Sequence, residues 1–132
     1  MRIQDIINES EVGEQELRSA IDEFMKFAFE KLHINPPYPE LDLSYDQGEA
    51  QELHRTGSYE MDSNVMTIYV RNRNLVDILR TVCHELVHKR QHERNMIDAG
   101  QNHPGSEIEQ QADAVAGYLM KLYAIKHREI FQ

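Results

Sequence analysis

The chain has 132 residues, 40% of them apolar and 28% charged, with a formal net charge of −9 and a single cysteine. This balance fits one globular domain, residues 1–132, around one core. The acidic surplus argues against general nucleic-acid binding, and no apolar run approaches the roughly 18 residues that would span a bilayer.

The start of the chain, "MRIQDIINESEVGEQELRSA", lacks the basic segment, apolar run and small-residue cleavage site of a secretory signal. Cys83, the lone cysteine, has no intrachain partner. Together these lead us to expect a reducing, cytoplasmic setting.

Residues 14–33 read as a helix, because Leu17, Ile21, Phe24, Phe27 or Ala28, and Lys31–Leu32 recur at helical spacing. The prolines of "NPPYPE", 35–40, are expected to end it. "LDLSYD", 41–46, alternates as a strand does, and "GEAQELHRTG", 48–57, reads as a connection. Residues 58–70 hold two short strands around "DSN", whose residues favour a turn. "RNRN", 71–74, is the only basic cluster. A second helix is expected from Asn74, a suitable N-cap, to Arg94, with Asp77 in its first turn. "MIDAGQNHPG", 96–105, carries the punctuation of a loop, and a third helix should run from near Ser106 to about Lys126. Helix, strands, then two helices make a small α+β domain.

The second helix contains "TVCHELVHKRQ", residues 81–91. On a helical wheel Leu75, Leu79, Val82 and Leu86 form one stripe, and His84 and His88 fall on the opposite side. The two histidines are about 6 Å apart along the axis and point the same way, which suits chelation of one ion. Glu85 stands beside that face, within reach of the water such an ion activates. His-Glu-x-x-His is the arrangement a zinc hydrolase needs: two imidazoles for the metal and an adjacent carboxylate as base. Chance placement in a chain of this composition would produce the motif roughly 0.04 times, so the rest of the sequence must support it.

A catalytic zinc needs a third protein ligand. His92 is about 12 Å along the axis from His84, too far to share an ion, and reads as a surface residue. The tenth position after His84, which carries a histidine in a longer zinc motif, is Arg94. "SEIEQQADAVAGYLM", 106–120, offers Glu109, with Asp113 one turn on, beside an apolar stripe of Ile108, Ala112, Val115, Leu119 and Leu122. Ala112, Ala114, Ala116 and Gly117 leave little bulk, so another helix can come close. Glu109 is the expected ligand and Asp113 the acceptor for the far N–H of a ligating histidine. Two alternatives stand beside this. Ser106 and Glu109 also fit a capping box, and Glu107 is a second ligand candidate. Cys83 reads as a buried apolar residue.

"HELVH" followed by "EIEQQADAVAGYLM" resembles the gluzincin metallopeptidases, in which a downstream glutamate completes the motif. The stretch from Glu109 to Met120 is similar to the corresponding helix of compact ImmA/IrrE-type peptidases, with Val115 in place of an aromatic. The resemblance covers roughly residues 57–122 and leaves the first 56 unplaced. It implies a zincin-like domain in which the C-terminal helix supplies the third ligand and residues 66–70 form an edge strand that takes substrate as an added strand. It further implies a peptide or protein substrate, Zn²⁺ on His84, His88 and Glu109, and Glu85 as general base. A one-domain peptidase without pro-segment or secretion signal is expected to have narrow specificity or a gating partner protein. His103, Tyr118 and Tyr123 are candidates to stabilise the oxyanion, with Tyr118 and Tyr123 better suited to packing. The alternative is a peptide-binding or regulatory module that keeps the metallopeptidase-like fold without turnover. An acidic interaction protein that holds no metal is a third reading.

Overall fold

The structure is a computed structural model, and it describes residues 11–34, 36–45, 57–93 and 107–128. It is α+β. Helix α1 (Glu11–Leu32) is followed by strands β1 (Glu40–Ser44), β2 (Gly57–Glu60) and β3 (Val65–Tyr69). Helices α2 (Leu75–Glu93) and α3 (Glu107–Lys126) complete it.

The periodicity of α1 resolves to Leu17, Ile21, Phe24, Ala28 and Leu32, all at most 1% exposed, with Met25 and Phe29 beside them. Full burial of each large aliphatic or aromatic side chain is worth roughly 1.5–3 kcal/mol, which fixes the face the helix presents. The helix stops at Leu32, four residues before Pro36. His33 takes a left-handed conformation, φ 55°. The amide of Ile34 then donates to the carbonyl of Phe29, and that of His33 to Glu30, the pattern of a Schellman cap. Ile34, 7% exposed, closes onto buried Phe29.

The sheet order is β1-β3-β2, with β1 parallel and β2 antiparallel to β3. The strand at 65–69 is therefore central, and the expectation that it forms a free edge is wrong. β1 runs alongside it in register, Leu43 opposite Ile68, and takes the side that was to be open. Among the described residues the edges are β1 and β2. Met66 and Ile68 alternate inward with Val70, as one face of a half-buried sheet requires. The turn between β2 and β3 places Asn64 at φ 53°, and its amide donates to the carbonyl of Met61.

Asn74 caps α2, its Oδ1 accepting from the amide of Asp77 at 2.9 Å. Within "RNRN", Arg73 serves the fold. Arg73 donates to the carbonyls of Tyr69 and Asp77 and to Thr81 Oγ1, tying the end of β3 to the first turns of α2. The predicted stripe of α2 is buried, but so is most of its circumference, including Glu85, Val87, His88, Lys89 and Gln91. The wheel implied a core face and an open face. Instead α2 is the central element, packed by α1, by the sheet and by α3.

Helix α3 buries Ala112, Ala116, Leu119, Met120 and Tyr123, and leaves Val115 and Leu122 only half-buried. The side chain of Ile108 lies outside the described residues. The inward face is thus rotated from the expected stripe, because Tyr123 joins an aromatic cluster with Phe24 and Phe27 of α1. Ala112 and Ala116 supply the expected close approach. Ala114 is exposed, and a Cβ on Gly117 would meet nothing within 4 Å.

Candidate metal centre

Helices α2 and α3 pack side by side, and the polar end of their contact is a cluster of His84, His88 and Glu109. One turn of α2 separates the histidines and directs both at α3. The two carboxylate oxygens of Glu109 meet them separately, Oε2 at 3.0 Å from His84 Nε2 and Oε1 at 3.1 Å from His88 Nε2. The two Nε2 atoms lie 3.1 Å from each other. One donor atom from each residue can be chosen so that all three lie within 4.8 Å of one another.

The outer nitrogens are also held. His84 Nδ1 is 2.9 Å from Asp113 Oδ1, one turn beyond Glu109 on α3. His88 Nδ1 is 2.8 Å from Gln91 Oε1. Both partners are oxygen acceptors, so each suits an imidazole that carries its hydrogen on Nδ1, the tautomer that presents an Nε2 lone pair. Those lone pairs and the Glu109 oxygens then face one another at about 3 Å. Such a set of acceptors repels itself unless a cation, a proton or a metal ion, lies among them. A tetrahedral zinc with bonds of ~2.0–2.1 Å would separate its ligands by roughly 3.3 Å, close to what the cluster already shows. The residues could hold a metal ion.

Burial is the largest influence on His88 and pushes its pKa below the usual histidine value; the Gln91 hydrogen bond and Glu109 oppose this, and His84 and His92 add to it. A neutral imidazole is the form that ligates a metal. Asp113 is 73% exposed at the solvent side of the cluster, whereas the His88 side chain is 7% exposed at its inner side.

The sequence named Glu109 ahead of Glu107 as ligand, and it is Glu109 that reaches the histidines, while Glu107 is exposed. Ser106, the other half of the capping-box alternative, lies outside the described residues, as does His103. His92 is half-buried and not part of the cluster. Tyr123 is 2% exposed and stacks on His127, so it is a packing residue; Tyr118, expected to pack, is 62% exposed. Cys83 is fully buried, and desolvation pushes its thiol pKa up to about 12, which removes it as a nucleophile.

Glu85 is 7% exposed and faces β2. Gly57 opens that strand directly above it. A Cβ on Gly57 would lie 2.6 Å from Thr81 Cγ2 and 3.4 Å from Glu85 Cγ, so only glycine lets the strand settle there undisturbed. Further along α2, Lys89 Nζ donates to Asn64 Oδ1 at 3.1 Å and to the Tyr59 hydroxyl at 3.3 Å, and pairs with Glu93 at 2.9 Å. Two strand residues, Gly57 and Tyr59, thus span one helical turn, from Glu85 to Lys89, and β2 lies along the helix. Sequence reasoning missed this clamp and also missed Gln91. The available signals were a glycine at a strand start and a glutamine at i+3 from the second histidine of the motif.

No protein-family model matches the chain, and no curated protein or solved structure is significantly similar to it. No helix among the described residues is long and apolar enough to cross a membrane.

Proposed function

We propose that this protein is a zinc-dependent metallopeptidase that hydrolyses peptide bonds of a peptide or protein substrate. The observation that carries the reading is the convergence of His84, His88 and Glu109, with the far nitrogen of each imidazole tied to an acceptor. A structural site needs no base, yet Glu85 occupies the motif position next to the first ligand.

His84, His88 and Glu109 would hold the ion, and their mixed nitrogen and oxygen set suits zinc. When bound, it supplies a Lewis acid that polarises the scissile carbonyl and makes water a stronger acid. Glu85 takes a proton from the attacking water and passes it to the leaving amine. Asp113 fixes the orientation and tautomer of His84. Among the described residues β2 pairs only with β3, so its outer edge can accept an extended peptide by strand addition. That edge, and not the one first expected on residues 66–70, runs over Glu85. The buried lone cysteine fits a reducing compartment such as the cytoplasm.

Elemental analysis of protein purified without added metal tests the site. Wild type should carry about one zinc per chain, and Glu109→Ala should lose most of it. Glu85→Gln should keep the metal and the fold while losing hydrolysis of a peptide library; turnover surviving in that variant overturns the mechanism. Metal retained by wild type with no turnover on any peptide would favour a binding module.

A further inference from the structure

Gln91 is the most buried polar residue among those described, 1% exposed. It sits on α2 less than one turn past His88. Its Oε1 faces His88 Nδ1 at 2.8 Å, and its Nε2 donates to Oε1 of Gln111, on α3, at 2.6 Å. A carboxamide has one accepting and one donating end, and at a buried position both must be used. Gln111 engages the donating end. That turns the oxygen toward the imidazole, and an oxygen there requires hydrogen on Nδ1. The Nε2 lone pair of His88 is then left facing His84 and Glu109.

The two histidines are therefore oriented by different chemistry. Asp113, 73% exposed, can carry charge beside His84 because water solvates it. His88 is deeper, with its side chain 7% exposed, and a second carboxylate there would be desolvated. A neutral amide gives the same acceptor without the charge. Gln111 lies between Glu109 and Asp113 in sequence, so one stretch of α3 delivers the third ligand, the partner of His84 and the group that orients the partner of His88.

We propose that Gln91, oriented by Gln111, is a positioning residue that commits His88 to the Nδ1–H tautomer and so aims its Nε2 lone pair at the ion. This inference rests on the metal-site reading above.

The test combines zinc affinity, from competition with a chelating dye, with imidazole ¹⁵N spectra of the metal-free protein near pH 8. Gln91→Met keeps the volume and removes the acceptor; Gln91→Glu keeps an acceptor; Gln111→Ala removes the outer amide from an exposed position. Gln91→Met should bind zinc about 10- to 100-fold more weakly. Gln91→Glu, which keeps the acceptor at the cost of a desolvated charge, should lose less than Gln91→Met, and Gln111→Ala should also show a smaller loss than Gln91→Met. Wild-type His88 should carry its hydrogen on Nδ1, and Gln91→Met should lose that preference. Unchanged affinity in Gln91→Met, or equal losses in the Met and Glu variants, overturns the proposal, since the residue would then matter only for packing. If wild type itself binds no zinc, the metal reading fails and the spectra decide this one: Nδ1–H in wild type, lost in Gln91→Met, sustains it, and Nε2–H in wild type overturns it.

Discussion

The Nε2 atoms of His84 and His88 lie 3.1 Å apart, and each is within 3.1 Å of a Glu109 oxygen. Since their other nitrogens face acceptors, with hydrogen on Nδ1 this closeness sets lone pairs against one another, and a cation among them would relieve the repulsion. Ion binding should therefore be coupled to stability. At free zinc 100-fold above the dissociation constant the gain is about 2.7 kcal/mol. For a chain of this length that corresponds to roughly 10 °C in Tm. Calorimetry before and after chelation should show a drop of that order, reversed by zinc; an unchanged Tm would mean that no ion is held and would return the chain to an acidic interaction protein.

Asp113 touches His84 Nδ1 but is largely in water. Its removal costs the fold little, yet frees the His84 ring to turn or change tautomer. Asp113→Ala should weaken zinc by about 10- to 100-fold with the metal-free Tm unchanged. Asp113→Asn, which retains an oxygen acceptor, should lose less. A metal-free Tm that falls with the affinity would make Asp113 a structural residue.

What could be read in the sequence was what is local or periodic. The stripe Leu75, Leu79, Val82, Leu86 repeats at helical spacing, the Asn74 cap is a matter of three residues, and the pairs His84/His88 and Glu109/Asp113 are each one turn apart on their own helix. Only the pairing of α2 with α3 had to be inferred, and small Ala112 and Ala116 signalled it. What escaped depends on distant segments meeting. β1 pairs with β3 across more than 20 residues of chain, and no strand pattern states that partner. The rotation of α3 follows from Tyr123 finding Phe24, nearly 100 residues away. Gln91 looked like an ordinary helical polar residue because Gln111, which orients it, comes from another helix.

Lys89 is a second consequence of such a meeting. Its side chain is 7% exposed, yet its ammonium satisfies Asn64, Tyr59 and Glu93 together. Lys89→Met removes the three bonds of its ammonium, while Asn64 Oδ1 keeps the Tyr59 hydroxyl as donor and Glu93 keeps water, so it should cost about 1 kcal/mol in urea unfolding. Tyr59→Phe should cost about 1 kcal/mol, and the double variant less than the sum, because both changes act on one network. Amide exchange should quicken in β2 more than in β1. Additive energies, or uniform exchange, would show that Lys89 is not what holds the edge strand to α2.

Gly57 fixes how closely that strand approaches Glu85. In Gly57→Ala the new methyl would stand 2.6 Å from Thr81 Cγ2 and 3.2 Å from Ile68 Cδ1. Thr81 cannot simply swing aside, because its Oγ1 accepts from Arg73 at 2.6 Å and donates to the carbonyl of Asp77 at 3.1 Å. Either the strand lifts or the helix shifts, at a cost of about 1–3 kcal/mol typical of overpacking. Thr81→Ser removes the obstructing methyl and keeps the hydroxyl. Combined with Gly57→Ala it should restore most of the lost stability, and a double-mutant cycle would read that coupling directly. If Gly57→Ala is neutral, or if Thr81→Ser fails to rescue it, then β2 does not rest on Thr81 as described, and the route by which the strand edge is brought over Glu85 must be another one.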